Sequence, residues 1–147
     1  MRNVLVPFLC GVAVAGIACR PVRSRPVFVA GPTGDAAPFS PAVRASGFLF
    51  LAGQLGTDSI GRLVPGGVRA ETRQALTNIR AVLERAGSSL DRVVQCTVYL
   101  ADVRERSAMS EVYVTFFPPG RRPARTAAGA AGLALDGRVE IACIAAN

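Results

Sequence analysis

The chain has 147 residues, a formal net charge of +7 and no histidine. All 17 basic residues are arginine, so the sequence also lacks lysine. These absences exclude catalysis by Ser-His or Cys-His pairs, metal sites with histidine ligands and Schiff-base chemistry on lysine. The length is that of one domain. The arginines are interleaved with Glu and Asp, which indicates a solvated surface rather than a nucleic-acid interface.

The first 18 residues have the three-part form of a secretory signal peptide. A charged start is followed by an apolar run over residues 4–18 that ends in small residues. This run is shorter than the roughly 20 residues that a membrane-spanning helix needs. Residues 16–19 resemble a bacterial lipoprotein box, in which Cys19 would be lipidated. Cleavage after Ala18 without lipidation and a start codon placed too far upstream are the alternatives.

The N-terminal pattern therefore predicts export from a bacterial cell. The protein would be periplasmic or a membrane-anchored lipoprotein, and it would be cytoplasmic if the start codon is miscalled. Residues 19–36 are rich in Pro, Gly and Arg and are predicted to form a linker, with one short strand at 27–29. The folded domain is predicted over residues 37–147.

The first half of the domain contains short apolar runs and one long amphipathic pattern. Buried strands are predicted at residues 48–52 and near 62–64, with glycine turns around the second. Apolar residues at helical spacing predict a helix over 68–86, and Gly87 stands where a left-handed C-cap is expected. Alternating apolar residues then predict a strand over 93–100.

The second half adds another helix and a final strand. Asp102 and Glu105 form a capping-box-like start for a helix that must end before Pro118. An apolar stripe over residues 109–117 is predicted to be its buried face, with a core role only. Segment 125–133 is rich in Ala and Gly, which have poor strand propensity, so its pattern leaves the structure open. Alternation predicts a strand over 139–145. This order of elements indicates an α+β fold, with helices packed on one face of a sheet.

Cysteine usage does not determine the compartment. Cys96 and Cys143 are the two cysteines of the domain, and each lies inside an apolar, strand-like run. A buried free thiol is the expectation for both, since a disulfide cannot be inferred from sequence alone.

Five short motifs lie in the folded domain, at residues 38–43, 52–55, 72–79, 86–90 and 123–125. Together with the order of elements, they resemble the Rid family, the reactive intermediate deaminases also called the YjgF family. The resemblance covers about residues 36–146. It implies a chorismate-mutase-like α+β fold, with a mixed sheet and two helices on one face, that assembles as a homotrimer. It also implies that clefts between subunits hydrolyse enamines and imines such as 2-aminoacrylate to 2-oxo acids and ammonia.

The resemblance assigns the chemistry to two residues, without a metal or cofactor. Arg125 matches the arginine that binds the substrate carboxylate, for which a guanidinium offers a bidentate fork. Glu140 matches the glutamate of the last strand, which would hold or deprotonate the attacking water. A surface or interface role is the alternative for each of them. The substrate-binding positions implied by the resemblance are Phe39, Ala52, Gly53, Ser110 and Ala127.

Several positions depart from the family pattern. Phe39 stands where Tyr is usual, Ala52 where Ser is common and Ser110 where Asn is usual. The segment after Arg125 also lacks the usual Glu and second Arg. These changes predict a cleft for a bulkier or less polar substrate, or a trimer that binds small carboxylates without catalysis. RNA binding or cleavage is a third hypothesis, and the lack of His, Lys and Trp argues against it.

Overall fold

The computed structural model of the protein describes residues 25–31 and 38–147. The predicted signal peptide, Cys19 and most of the predicted linker lie outside these residues. The described residues form seven strands and two α-helices. The strands are β1 (Val27–Val29), β2 (Ala42–Ala45), β3 (Phe48–Leu51), β4 (Gln54–Leu55), β5 (Val93–Leu100), β6 (Ala124–Gly129) and β7 (Val139–Ala146), and the helices are α1 (Gly67–Arg85) and α2 (Arg106–Tyr113).

The strands form one mixed sheet in the order β1-β2-β3-β7-β5-β6, and β4 pairs with β7 beyond the end of β3. Only β5 and β6 pair in parallel, while the other neighbours are antiparallel. The last strand of the chain therefore lies in the middle of the sheet, where both of its edges are paired. The α+β fold predicted from the order of elements is confirmed.

The core lies between the helices and one face of the sheet. Along α1, the buried residues Leu76, Ile79 and Leu83 recur at helical spacing. Alternate residues of β5 and β7 are buried against them. Gly87 has a φ of +72° and donates its N–H to the carbonyl of Glu84, which confirms the predicted C-cap. No helix within the described ranges is long and apolar enough to cross a membrane.

The start of α2 combines a side-chain cap with a short 3-10 turn. The Asp102 carboxylate accepts the backbone N–H of Arg104 at 2.9 Å, as a helix cap does. Glu105 does not complete the capping box, because its carboxylate accepts from the Arg138 side chain at 2.7 Å. The helix proper then begins at Arg106 and ends at Tyr113.

The structure of two segments depends on contacts that cannot be inferred from the local sequence pattern. The predicted strand near residues 62–64 is wrong, because only an isolated bridge joins Thr57 to Leu63. Asp58 holds this segment as a loop by accepting two backbone N–H groups, from Ile60 and Arg62. Segment 125–133, whose pattern does not predict a structure, begins within strand β6, because pairing with β5 outweighs its poor strand propensity.

The expectation of two free thiols is also wrong. Cys96 of β5 and Cys143 of β7 form a disulfide, with their Cα atoms 4.1 Å apart. The antiparallel register places them directly opposite each other on the helix-covered face. The sequence does not specify this register, which arises from pairing across 47 residues of chain.

The other face of the sheet carries exposed apolar side chains. They come from three neighbouring strands of the sheet, β3, β5 and β7. An apolar area of this kind on a folded domain usually marks a contact surface. The side chains with an exposed fraction of 41–44% are Phe48, Phe50, Val94 and Tyr99, and Ile144 of β7 is half-buried beside them.

Candidate active site

Arg125 extends from β6 toward α2. Its partner in the parallel ladder is the buried Cys96, so the Arg125 side chain lies on the helix-covered face. The guanidinium Nη2 donates to Ser110 Oγ at 3.0 Å, and Nη1 lies 3.8 Å from Met109 Sδ. Its central carbon lies 4.7 Å from the ring centroid of Tyr113. One turn of α2 therefore provides these contacts to the guanidinium.

The charge of Arg125 is not neutralised by a carboxylate within the described residues. The ion pairs found there involve Arg69, Arg104 and Arg138 instead. The Arg125 side chain is half-buried, so an anionic ligand that reached it would interact in a partly desolvated setting. A planar guanidinium in such a setting is suited to bind a carboxylate.

Tyr113 supplies an uncharged ring beneath the guanidinium. Burial raises the pKa of Tyr113 to about 12, although the nearby charge of Arg125 lowers it in part. The phenol therefore stays protonated at neutral pH and does not act as a base. The sequence pattern places Tyr113 in the apolar stripe 109–117 and predicts a core residue only. The structure confirms that core position and adds the contact with Arg125, for which the sequence holds no separate signal.

Glu140 lies on the opposite face of the sheet. In β7, residues 139, 141, 143 and 145 are buried against the helices, so Glu140 points to the other side. It lines a cavity of about 500 Å³ together with Phe39, Gly53 and Leu135. The cavity wall is mainly apolar, and Glu140 and Arg85 are the charged residues that line it.

Gly53 is needed for the position of the Glu140 side chain. A Cβ atom built on Gly53 would lie 1.8 Å from Glu140 Oε1, which no arrangement of real atoms permits. Gln54, which the site prediction did not include, donates from its side chain to the carbonyls of Ala52 and Gly53 at 3.2 and 3.1 Å. The backbone N–H of Ala52 donates to Pro41 at 2.9 Å, which ties the segment that carries Phe39 to this turn.

The structure thus divides the predicted site residues into two groups. The Arg125 half-site consists of Arg125, Ser110, Met109 and Tyr113, and Ala127 lies on the same face of β6, opposite Val98. The Glu140 half-site consists of Phe39, Ala52, Gly53 and Glu140.

Within one chain the two half-sites cannot act on one small molecule. Their strands β6 and β7 are separated by β5, which is about 10 Å of sheet, and the side chains of Arg125 and Glu140 leave opposite faces. A substrate of three or four carbon atoms cannot span that separation. A site that uses both groups requires two copies of the chain.

Metal chemistry was not expected from the sequence. Within residues 25–31 and 38–147, no cluster of three or more Cys, Asp or Glu side chains is arranged to hold a metal ion. The two half-sites offer a guanidinium, a carboxylate, a hydroxyl and backbone groups.

Comparisons with known proteins cover the folded domain. The family model described as Endoribonuclease L-PSP matches residues 32–147. A 2-iminobutanoate/2-iminopropanoate deaminase from Capra hircus is 47% identical over 109 residues, which are 74% of this chain and 79% of that protein. A RutC family protein from Pyrococcus horikoshii is 44% identical over 109 residues, which are 74% of this chain and 86% of that protein.

A solved structure agrees with the sequence matches. The crystal structure of a protein of unknown function of the Rid family from Yersinia pestis superposes with a TM-score of 0.78 at 28% identity. The superposition covers 84% of this chain and 100% of that chain. With the family model and the curated relatives matching the same domain, this chain belongs to the Rid family, also called the YjgF or RutC family.

Proposed function

We propose that the protein hydrolyses 2-imino acids and their enamine tautomers to 2-oxo acids and ammonia. The observation that carries the proposal is the half-buried guanidinium of Arg125, which has no carboxylate partner within the described residues. A 2-imino acid offers the carboxylate that such a group binds. The mammalian relatives named 2-iminobutanoate/2-iminopropanoate deaminase support the same substrate class.

The reaction needs one water molecule and proton transfers. With the substrate carboxylate on Arg125, the electrophilic imine carbon would face Glu140 of a neighbouring subunit. Glu140 accepts a proton from water as the water oxygen bonds to that carbon. This proton then passes from Glu140 to the nitrogen, which gives a carbinolamine. The carbinolamine hydroxyl gives its proton to the nitrogen through Glu140, the C=O bond forms as the C–N bond breaks, and ammonia leaves with the 2-oxo acid as the second product.

We propose that the sites form between subunits of a homotrimer. The division into two half-sites on opposite faces supports this assembly, because Arg125 has no carboxylate partner within the described residues and Glu140 lies on the other side of the sheet. The exposed apolar side chains on the open face of the sheet supply a surface for association. A closed ring of identical subunits would pair each Arg125 half-site with a Glu140 half-site from its neighbour.

The composition of the Glu140 half-site favours imino acids with apolar side chains. Phe39 contributes a ring without the hydroxyl of the Tyr that is usual in the family, and Ala52 contributes no hydroxyl either. Leu135 adds a further apolar side chain to the cavity. The same substitutions favour the second candidate function, a trimer that binds small carboxylates without hydrolysing imines.

The first test is hydrolysis of imines by the purified full chain. An amino-acid oxidase would generate 2-imino acids of increasing side-chain size, and the imine that remains would be trapped with semicarbazide. We expect less trapped imine and faster ammonia release when the protein is present. Unchanged hydrolysis of every imine by a folded protein that binds 2-oxobutanoate would contradict the deaminase proposal and favour the binding function.

The family description also names an endoribonuclease, which we do not propose for this chain. The sequence has no His or Lys to act as an acid or base on RNA. Salt-dependent RNA retention that persists in Arg125→Ala would contradict this view.

We also propose that the protein is exported and acylated on Cys19. The charged, apolar and small-residue order of the first 19 residues supports this. The Cys96–Cys143 disulfide supports it independently, because disulfides persist mainly in oxidising compartments. In a bacterial host fed a labelled fatty acid, we expect label in the membrane-bound wild type and none in Cys19→Ser. Unlabelled wild-type protein in the cytoplasmic fraction would show that the proposal is wrong.

A further inference from the structure

The Arg125 guanidinium is held by uncharged groups, which do not neutralise its positive charge. Two of its three contacts are the Tyr113 ring face, 4.7 Å from the guanidinium carbon to the ring centroid, and Met109 Sδ, 3.8 Å from Nη1. A carboxylate in this position would fix the side chain but would also occupy its donors. An aromatic face attracts the cation and leaves those donors available to a ligand.

Tyr113 is itself fixed in the core. Only 2% of its surface is exposed, and its ring packs against Phe117 with 4.9 Å between centroids. Its hydroxyl is enclosed and has no hydrogen-bond partner within the described residues. The hydroxyl therefore contacts neither Arg125 nor solvent through a hydrogen bond, and the part of Tyr113 that acts on Arg125 is the ring.

We propose that Tyr113 is a positioning residue, whose ring holds the Arg125 guanidinium in the orientation that receives the substrate carboxylate. This inference rests on the proposed role of Arg125. It predicts that ligand affinity depends on an aromatic ring at position 113 and not on the hydroxyl. It also predicts that the dependence disappears when Arg125 is absent.

The chain offers a matched control for the experiment. Arg80 lies over the ring of Phe116, with 5.3 Å from the guanidinium carbon to the centroid. Neither residue is among the hydrogen-bond or cation–π partners of Arg125, which are Met109, Ser110 and Tyr113. Phe116→Leu therefore removes an aromatic ring and an Arg–aromatic contact next to α2 without altering the Arg125 half-site. Tyr113→Phe keeps the ring, whereas Tyr113→Met and Tyr113→Leu refill the space without one.

The measurement is the Kd of 2-oxobutanoate by calorimetry on the full chain, together with kcat and KM for 2-iminobutanoate. For Tyr113→Met and Tyr113→Leu we expect Kd and KM to rise by about two- to thirty-fold, with a smaller change in kcat. Tyr113→Phe and Phe116→Leu should stay close to the wild type. In an Arg125→Ala background, Tyr113→Met should change Kd no further.

Three outcomes would overturn the inference. One is an unchanged Kd in both ring-less variants. Another is an equal loss of affinity in Tyr113→Phe, and the third is an additive loss in the Arg125→Ala background, which would indicate a general structural effect. If the wild type hydrolyses no imine, the proposed activity is wrong. The Kd values for 2-oxobutanoate still show whether the ring of Tyr113 positions Arg125 for binding. If one ring-less variant does not fold, the other provides the comparison.

Discussion

Subunits that carry Arg125→Ala should regain activity when they are assembled with subunits that carry Glu140→Ala. Each variant alone is expected to lose about 100-fold or more in kcat/KM, because one lacks the cation proposed to bind the carboxylate and the other lacks the proposed general base. In a mixed ring, a site that joins the intact Arg125 of one subunit to the intact Glu140 of its neighbour is complete. Random mixing of equal amounts gives about one quarter complete sites.

The experiment is co-refolding of the two variants, followed by the imine hydrolysis assay. Denaturation without reductant keeps the Cys96–Cys143 disulfide in both chains. The matched control mixes Arg125→Ala with the double variant Arg125→Ala/Glu140→Ala, which supplies no intact Arg125 and should stay inactive. If mixed oligomers form and activity does not return, the site does not combine Arg125 and Glu140 from different subunits.

Removal of the Cys96–Cys143 disulfide should strongly destabilise the domain. The bond closes a loop with a sequence separation of 47 residues, for which loop-closure entropy gives about 4 kcal/mol of stabilisation at 25 °C. For a domain of this size, that corresponds to a Tm lower by roughly 10–20 °C. The measurement is thermal and guanidinium unfolding of Cys96→Ala/Cys143→Ala against the wild type. Both are measured at one protein concentration, because the proposed subunit association would make Tm depend on concentration.

Reductant provides the control for the disulfide prediction. Both sulfur atoms are buried, with 0% and 2% of the residue surface exposed at Cys96 and Cys143. Reductant should therefore lower the unfolding midpoint of the wild type when it is present during denaturation, and should not affect the double variant. Cys19→Ala, a substitution in the predicted linker, should unfold like the wild type. Two reactive thiols at positions 96 and 143 in the denatured, unreduced protein would show that the bond does not form.

The periodic elements could be predicted from the sequence because their signals are local. Helix α1 and strands β5 and β7 were predicted to within a residue or two, since apolar spacing reports which side of an element is buried. The resemblance pointed to Arg125 and Glu140 as the candidate site, and their roles stay predictions until the variants are measured.

Other features depend on which strands become neighbours. Strand β6 forms although its Ala- and Gly-rich sequence has poor strand propensity, because β5 pairs along its whole length. The short strand expected near residues 62–64 is replaced by a loop that the Asp58 side chain holds. In neither case does local propensity determine the secondary structure, because it depends on pairing with a specific strand or on hydrogen bonds with a specific side chain.

The sequence by itself therefore determined the α+β class, the main helix and strands, the family and the two residues on which the chemistry is proposed to depend. Only the tertiary structure decided that Cys96 meets Cys143, that Tyr113 lies beneath Arg125, and that Arg125 and Glu140 leave opposite faces of the sheet. The physical reason is that strand register and helix docking arise from contacts between distant parts of the chain, which periodicity within a single element does not encode.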